Sequence, residues 1–297
     1  MLSLCESVQQ LEFALEIYER EVTMLGKITV TESQNLRIHT FTAPDDGWSV
    51  NSHVIEFPTQ LIVIDAQYML PYAQEVVGYA QTLKRPITRL YISHYHPDHL
   101  LGAVAFRAPI YALQEVKTKI EAVGDRVAGE EHEKHPDKIP NHAEHPTEIV
   151  KPGSDVIDGI RISYVLLQHA ETENALIVGI PDNKILITQD LVYHGVHVFI
   201  AEKAFDTWLA ELKHYEELPY TYILPGHGTP GGPELYERMR HYLVTARDLF
   251  SKSEDGDDLK ERLTAAFPGF TGTAMLDHQK RFLFPSTKRK AQPTSSR

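Results

Sequence analysis

Ile87-Thr88-Arg89-Leu90-Tyr91-Ile92-Ser93 runs directly into His94-Tyr95-His96-Pro97-Asp98-His99. The first seven residues read as a strand, and the next six crowd three imidazoles and a carboxylate onto its end. Alternation in an extended segment points His94 and His96 the same way, so both can reach one metal ion. The turn at Pro97 and the entry into a helix over His99–Phe106 aim Asp98 and His99 elsewhere, a geometry that can serve a second ion beside the first. Imidazole and carboxylate donors at such a site suit zinc, and iron and manganese are also compatible with them. The plainer alternative is a histidine-rich surface turn. Surface turns do not usually follow a buried strand, and they rarely combine H-x-H with D-H.

Outward from this cluster the chain falls into two batches of strands. Leu36–Thr42, His53–Phe57, Leu61–Ile64, Ile87–Ser93 and Ile110–Leu113 precede a polar stretch. Arg161–Leu167, Ala175–Ile180, Lys184–Thr188 and Tyr220–Leu224 follow it. Helices are expected over Pro71–Leu83 and Glu115–Val123, around Phe205–Tyr215, and from Pro233 through Phe250. Asp257 or Asp258 could cap a further helix running to Ala266. Residues 124–148 have few apolar side chains, three prolines and four histidines (His132, His135, His142 and His145). They read as a solvated surface insertion, a lid at the site's mouth rather than another metal site. Two sheets packed together with helices outside would accommodate this order, and the residues alone support an α/β or α+β fold. The expected organisation is an N-terminal helical arm (1–30, with an amphipathic helix at 7–22), a catalytic domain (31–250), and a C-terminal helix with a disordered tail (251–297). The arm is read as packing on its own domain, with homodimer formation as the alternative.

The chain has 297 residues, 42% hydrophobic, enough for a large core. No apolar run approaches the ~20 residues of a membrane span. The N-terminus lacks a basic region followed by an apolar stretch, so it does not read as a secretory signal. A single cysteine, Cys5, excludes an internal disulfide and a thiolate metal cluster. A cytoplasmic setting is the expectation. The net charge of -12 argues against a nucleic-acid-tracking surface, leaving a small molecule as the expected partner.

H-x-H-x-D-H resembles the signature of the metallo-β-lactamase superfamily. The resemblance covers roughly residues 36 to 245 and implies a four-layer αββα sandwich. The family pattern needs a later histidine, an aspartate and a final histidine at strand ends, and His169, Asp190 and His227 stand in that order. By resemblance, His94, His96 and His169 hold one ion, Asp98, His99 and His227 hold the other, and Asp190 bridges them. Two zinc ions about 3.5–4 Å apart would share a water and lower its pKa toward neutrality. The resulting hydroxide would attack an ester, lactone or thioester, with Asp98 or Asp190 passing a proton to the leaving group. Asp65, ending Leu61–Ile64, stands where the family often has an aspartate that holds the histidine loop.

Departures from the pattern lie at the rim: Ala66-Gln67, Leu101-Gly102, and Ala170-Glu171-Thr172-Glu173-Asn174 after His169. They leave the expected ligands intact and put the substrate in doubt. Tyr193, three residues after Asp190, matches the spacing of the acyl-homoserine lactonase branch, where a tyrosine helps polarise the substrate carbonyl. Two other readings use the same residues: a persulfide dioxygenase-like oxidoreductase with one iron, and a non-catalytic metal-binding member of the fold. Retention of all seven expected ligands argues against the last.

Overall fold

The computed structural model describes residues 24–285. The helix expected at 7–22 and the tail beyond Lys288 lie outside them. The first batch of strands forms one seven-stranded sheet in chain order: β1 (Lys27–Ser33), β2 (Leu36–Thr42), β3 (Asn51–Glu56), β4 (Leu61–Ile64), β5 (Ile87–Tyr91), β6 (Ile110–Ala112) and β7 (Glu148–Ile149). The strands from β1 to β4 pair antiparallel, and those from β4 to β7 pair parallel. The second batch forms a five-stranded sheet of β8 (Gly153–Ile157), β9 (Ile160–Gln168), β10 (Asn174–Ile180), β11 (Ile185–His194) and β12 (Tyr222–Gly228), ordered β12-β11-β10-β9-β8. The β11–β12 pair is parallel. The two sheets meet where β12 packs on β2 and β3, completing the αββα sandwich.

Strand composition follows position. Leu61-Ile62-Val63-Ile64 is buried on both faces, as suits a strand with a parallel neighbour and covered sides. β9 alternates buried and open residues, as suits an antiparallel strand with one wet face. The helices are α1 (Leu70–Thr82), α2 (Pro97–Leu100), α3 (Gln114–Lys134), α4 (Phe205–Glu216), α5 (Glu234–Lys252), α6 (Gly256–Ala266) and α7 (Thr273–Leu283). α4 and α5 rest on β11, and α6 packs between α5 and α7. Among the described residues no helix is long and apolar enough to cross a membrane.

The structure corrects four expectations. Residues 124–134 are not part of a solvated insertion but the second half of α3, with Gly124, Ala128 and Glu131 buried. The turn that follows is pinned. Lys138 accepts from the Leu70 N–H at 2.8 Å, His132 Nδ1 meets the Ile139 carbonyl at 2.7 Å, and Ile139 and Ala143 are buried. Shortening this segment would therefore cost core contacts rather than only retune a lid. β1 begins at Lys27 and pairs with β2 along its whole length, so the first sheet starts inside the segment expected to be an arm. The C-terminal region holds two helices rather than one, and the second, α7, had no counterpart in the sequence reading. Finally, α6 is capped by Asp255, which accepts from the N–H groups of Asp257 and Asp258, so neither of those two is the cap.

Candidate metal centre

All the strand ends that carry the cluster converge at the seam between the sheets. His94 and His96 follow β5, and Asp98 and His99 lie in the single turn of α2. Asp190 sits within β11 and His227 within β12. All six are buried. Two ligands on one tetrahedral zinc ion, each ~2.0–2.1 Å from it, stand roughly 3.3 Å apart. The donor atoms here are spaced accordingly. His94 Nε2 and His96 Nδ1 are 3.1 Å apart. Asp98 Oδ2 lies 3.3 Å from His99 Nε2 and 3.2 Å from His227 Nε2.

Asp190 stands between the two groups. Its Oδ1 is 3.2 Å from His99 Nε2, and its Oδ2 is 3.3 Å from His227 Nε2 and 4.0 Å from His94 Nε2. The backbone beside it is tight. A Cβ on Gly226 would fall 1.9 Å from Asp190 Oδ1, so the residue before His227 has no room for a side chain.

His169 does not join this cluster. It is exposed and opens the β9–β10 turn with a φ of 53°, its N–H donating to the Glu173 carbonyl at 3.0 Å. That left-handed step carries the chain inward, and Glu171 takes the place expected of His169. Glu171 is 2% exposed, with Oε1 3.0 Å from His96 Nδ1 and Oε2 3.7 Å from His94 Nε2. His94, His96 and Glu171 form one group of donors spaced for a metal ion, and Asp98, His99 and His227 form another. None of His132, His135, His142 and His145 belongs to such a group among the described residues.

Around the donors lies an orienting layer. Asp65, buried with a φ of 63°, accepts from the Ser93 N–H at 2.7 Å, Ser93 Oγ at 2.6 Å, His99 Nδ1 at 2.6 Å, and Gln189 Nε2. The His99 bond places the proton on Nδ1 and leaves Nε2 free to coordinate. His227 Nδ1 donates to the Trp48 carbonyl at 2.8 Å for the same effect. Asn51 Nδ2 binds the Pro225 and Gly228 carbonyls at 2.8 and 2.7 Å, fixing the strand on both sides of His227. Gln189, Asn51 and Trp48 carry no sequence signal of these roles, because each acts through a partner distant in the chain.

Charge is balanced within the cluster. Burial opposes ionisation of Asp98 and Asp190, yet the imidazoles of His99 and His227 hold both carboxyls far below the usual range. Burial would lower His227, but Asp190 and Asp98 raise it to about 9. Burial raises Glu171 to about 7 against the pull of His96. His99 Nε2, His227 Nε2, Asp190 Oδ1 and both Glu171 oxygens are buried without a hydrogen-bond partner. Orphaned atoms of this kind, aimed at common points, fit a metal ion.

Tyr193 is buried. Its hydroxyl donates to Asp190 Oδ2, and its ring stacks on His227 at 4.5 Å and 4°. The cleft above the donors is lined by Trp48, Pro97, Tyr193, Phe199, Met275 and His278 beside His96, Asp98, Glu171 and Asp190. His194 and His197 are not among its lining residues.

Comparison with known proteins agrees with this architecture. A curated relative, a linear primary-alkylsulfatase from a Pseudomonas species, is 22% identical over 242 residues, covering 68% of this chain and 45% of its own length. The chain thus spans about half of that relative. Among solved structures, a metallo-beta-lactamase from Pontibacter korlensis superposes with a TM-score of 0.59 at 19% identity, covering 73% of this chain and 99% of its own. The mono-zinc form of the metallo-beta-lactamase FIM-1 from Pseudomonas aeruginosa gives 0.52 at 21% identity, covering 74% and 96%. The family profile described as metallo-beta-lactamase superfamily matches residues 45–227, a span that begins before β3 and ends on His227. The chain belongs to the metallo-beta-lactamase superfamily, whose members are mostly hydrolases.

Proposed function

We propose that this protein is a binuclear metal-dependent hydrolase of an ester, lactone or thioester, with His94, His96 and Glu171 holding one ion, Asp98, His99 and His227 the other, and Asp190 between them. The observation that carries this reading is the pair of donor groups at ligand spacing on either side of one carboxylate. The donor set of four imidazoles and three carboxylates suits zinc, a borderline-soft ion that takes both nitrogen and oxygen ligands. Bound there, the ions would supply an activated water and Lewis acidity.

The chain's own groups do the rest. Asp65 and the Trp48 carbonyl keep His99 and His227 in the coordinating tautomer. Asp98, on the cleft wall, is the carboxylate within reach of a leaving group to which a proton could pass. Tyr193 holds Asp190 through its hydroxyl. It also lines the cleft, where the same O–H can turn toward a carbonyl oxygen as negative charge develops.

Metal analysis of the purified protein tests the reading. Two equivalents per chain are expected, with hydrolysis of 4-nitrophenyl esters or lactones. Glu171→Ala should lose one equivalent, while His169→Ala should retain both. One iron per chain with oxygen consumption, or metal loss in His169→Ala alone, would overturn it.

A further inference from the structure

Tyr193 belongs to two cavities. One is the cleft above the donors. The other is a pocket of about 220 Å³ that shares no other residue with the cleft. Three segments wall it: the chain from Tyr193 to Val198 at and beyond the end of β11, Arg238 to Tyr242 on α5, and the turn after α6 that carries Phe267 and Phe270. The turn is stitched to the first segment. The Thr271 N–H donates to the Gly195 carbonyl at 3.0 Å, and the His197 N–H donates to the Thr271 carbonyl at 2.9 Å.

Inside, Tyr242 stacks on Phe267 at 4.5 Å and 29°, and on Phe270 at 5.9 Å and 13°. Val196, Val198 and Met239 complete an apolar wall. An apolar cavity of about 150 Å³ accepts a benzene-sized molecule, so this pocket has room for one ring and a short side group.

Its charge is of one sign. No carboxylate lines it, although the chain carries a net charge of -12. Arg240 and Arg247 on α5 pair with Glu216 and Asp206 at 2.5 and 2.7 Å, whereas Arg238 makes no ion pair among the described residues. Glu234, one turn before it, accepts from the Gly232 N–H instead.

The hydrogen-bond count beside Arg238 does not close. Tyr242 Oη accepts from the Val198 N–H at 3.2 Å and lies 3.1 Å from His197 Nδ1. His197 Nε2 is buried without a partner, and burial keeps the ring neutral, its pKa lowered to about 4. If the phenol donates to Nδ1, the imidazole proton sits on Nε2 with no acceptor. If Nδ1 donates, the phenol O–H has none. Either arrangement leaves one buried donor unmatched. Arg238 and Tyr242 stand four residues apart on one helix and are therefore neighbours on its surface. A carboxylate between them can accept from the guanidinium and from the phenol, with His197 Nδ1 donating behind it.

We propose that this pocket is a second ligand site, for a compact aromatic carboxylate held by Arg238 and Tyr242, and that its occupancy is felt at the metal centre through Tyr193. The Tyr193 hydroxyl holds Asp190 and its ring stacks on His227. Hydrolysis of an ester or lactone releases a carboxylate, so the ligand is of the same chemical class as the product. Binding stands on the pocket alone; the coupling rests on the hydrolase reading above.

The probe is phenylacetate, titrated calorimetrically into the metal-loaded protein. Arg238→Ala should weaken its binding by about tenfold or more, and the uncharged phenylacetamide should bind wild type more weakly by a similar factor. Arg238→Lys should recover part of the loss. Arg238 is exposed, so these substitutions leave the core intact, and a carboxylate resting on the metal ions would ignore them. With saturating 4-nitrophenyl acetate, phenylacetate should change kcat by roughly twofold or more, an effect absent from Arg238→Ala at the same concentration. No binding to wild type, equal binding of acid and amide, or equal binding to Arg238→Ala would overturn the site. Arg238-dependent binding with kcat unmoved would overturn its coupling to the centre. Arg238-dependent binding to two-metal protein that cleaves no ester would uphold the site and place the failure in the hydrolase reading.

Discussion

Replacing Asp65 with Asn keeps the shape of the side chain and removes one acceptor site. In the wild type, Oδ1 accepts from the Ser93 N–H, while Oδ2 accepts from Ser93 Oγ, His99 Nδ1 and Gln189 Nε2. Whichever way the amide sits, its NH₂ faces at least one buried donor. With the amide nitrogen at the Oδ2 position, His99 can answer only by moving its proton from Nδ1 to Nε2, and Nε2 is the atom that stands 3.3 Å from Asp98 Oδ2 and 3.2 Å from Asp190 Oδ1. A protonated Nε2 cannot coordinate. With the nitrogen at Oδ1, the Ser93 N–H is left unpaired next to His94. Loss of such an orienting partner typically costs 10- to 100-fold in metal affinity, and an unpaired buried donor costs about 1–3 kcal/mol of stability. Competition against a chromophoric chelator should therefore show one of two zinc equivalents in Asp65→Asn weakened by about 10- to 100-fold. The other, resting on His94, His96 and Glu171, should be weakened less. Equal affinity of both sites to within about twofold of wild type would refute the orienting role, and equal loss at both would show that Asp65 supports the whole loop rather than His99.

Tyr193→Phe should lower kcat on esters by roughly 5- to 30-fold, the equivalent of about 1–2 kcal/mol, with both metal equivalents retained; an unchanged kcat would remove the hydroxyl from the reaction. Gly226→Ala places a methyl on Asp190 Oδ1, so it should disturb the shared carboxylate and abolish binuclear loading while circular dichroism stays near native. Glu56 gives a pH test remote from the candidate metal centre. Burial opposes its ionisation, but His39, Arg37 and Arg85 lower its pKa from the ordinary 4.5. A depressed carboxylate contributes stability that is present above its unfolded pKa and lost as pH falls through the folded one. Urea midpoints of the wild type should therefore drop below pH 4.5, and Glu56→Gln should be less stable at pH 7 and less sensitive across that acid range.

Most of the candidate centre was legible because its donors follow strongly apolar stretches. Ile87–Tyr91, Ile185–Thr188 and Ile223–Leu224 announce themselves by composition, and a polar residue just past such a segment must point somewhere specific. Glu171 escaped for a physical reason. It lies in a five-residue turn beside an exposed histidine and another glutamate, and whether it turns inward depends on the left-handed backbone at His169, which β9–β10 pairing and the Thr207 hydroxyl on the His169 carbonyl fix. The second half of α3 was read as a loop because its buried face is small: Gly124 and Ala128 pack where larger apolar residues would have shown the period, Gly124 lying against Ile120 and Ala143. β1 and β8 are mostly open edge strands with little apolar patterning, and α7 is placed by contacts with residues distant in the chain, among them Val198 and Ile200.

The first sheet is built entirely from residues before 150 and the second entirely from residues after 152. His94 through His99 come from the earlier half, and Glu171, Asp190 and His227 from the later one. During synthesis the first sheet can emerge and collapse while three of the seven donors have yet to be made. Contacts of such long sequence separation form late and slowly, and Asp190 and His227 are joined by the final parallel pairing of β11 with β12. A nascent chain can thus present His94, His96, Asp98 and His99 ahead of their later partners, and the complete double set of donors exists only after the last strand has docked.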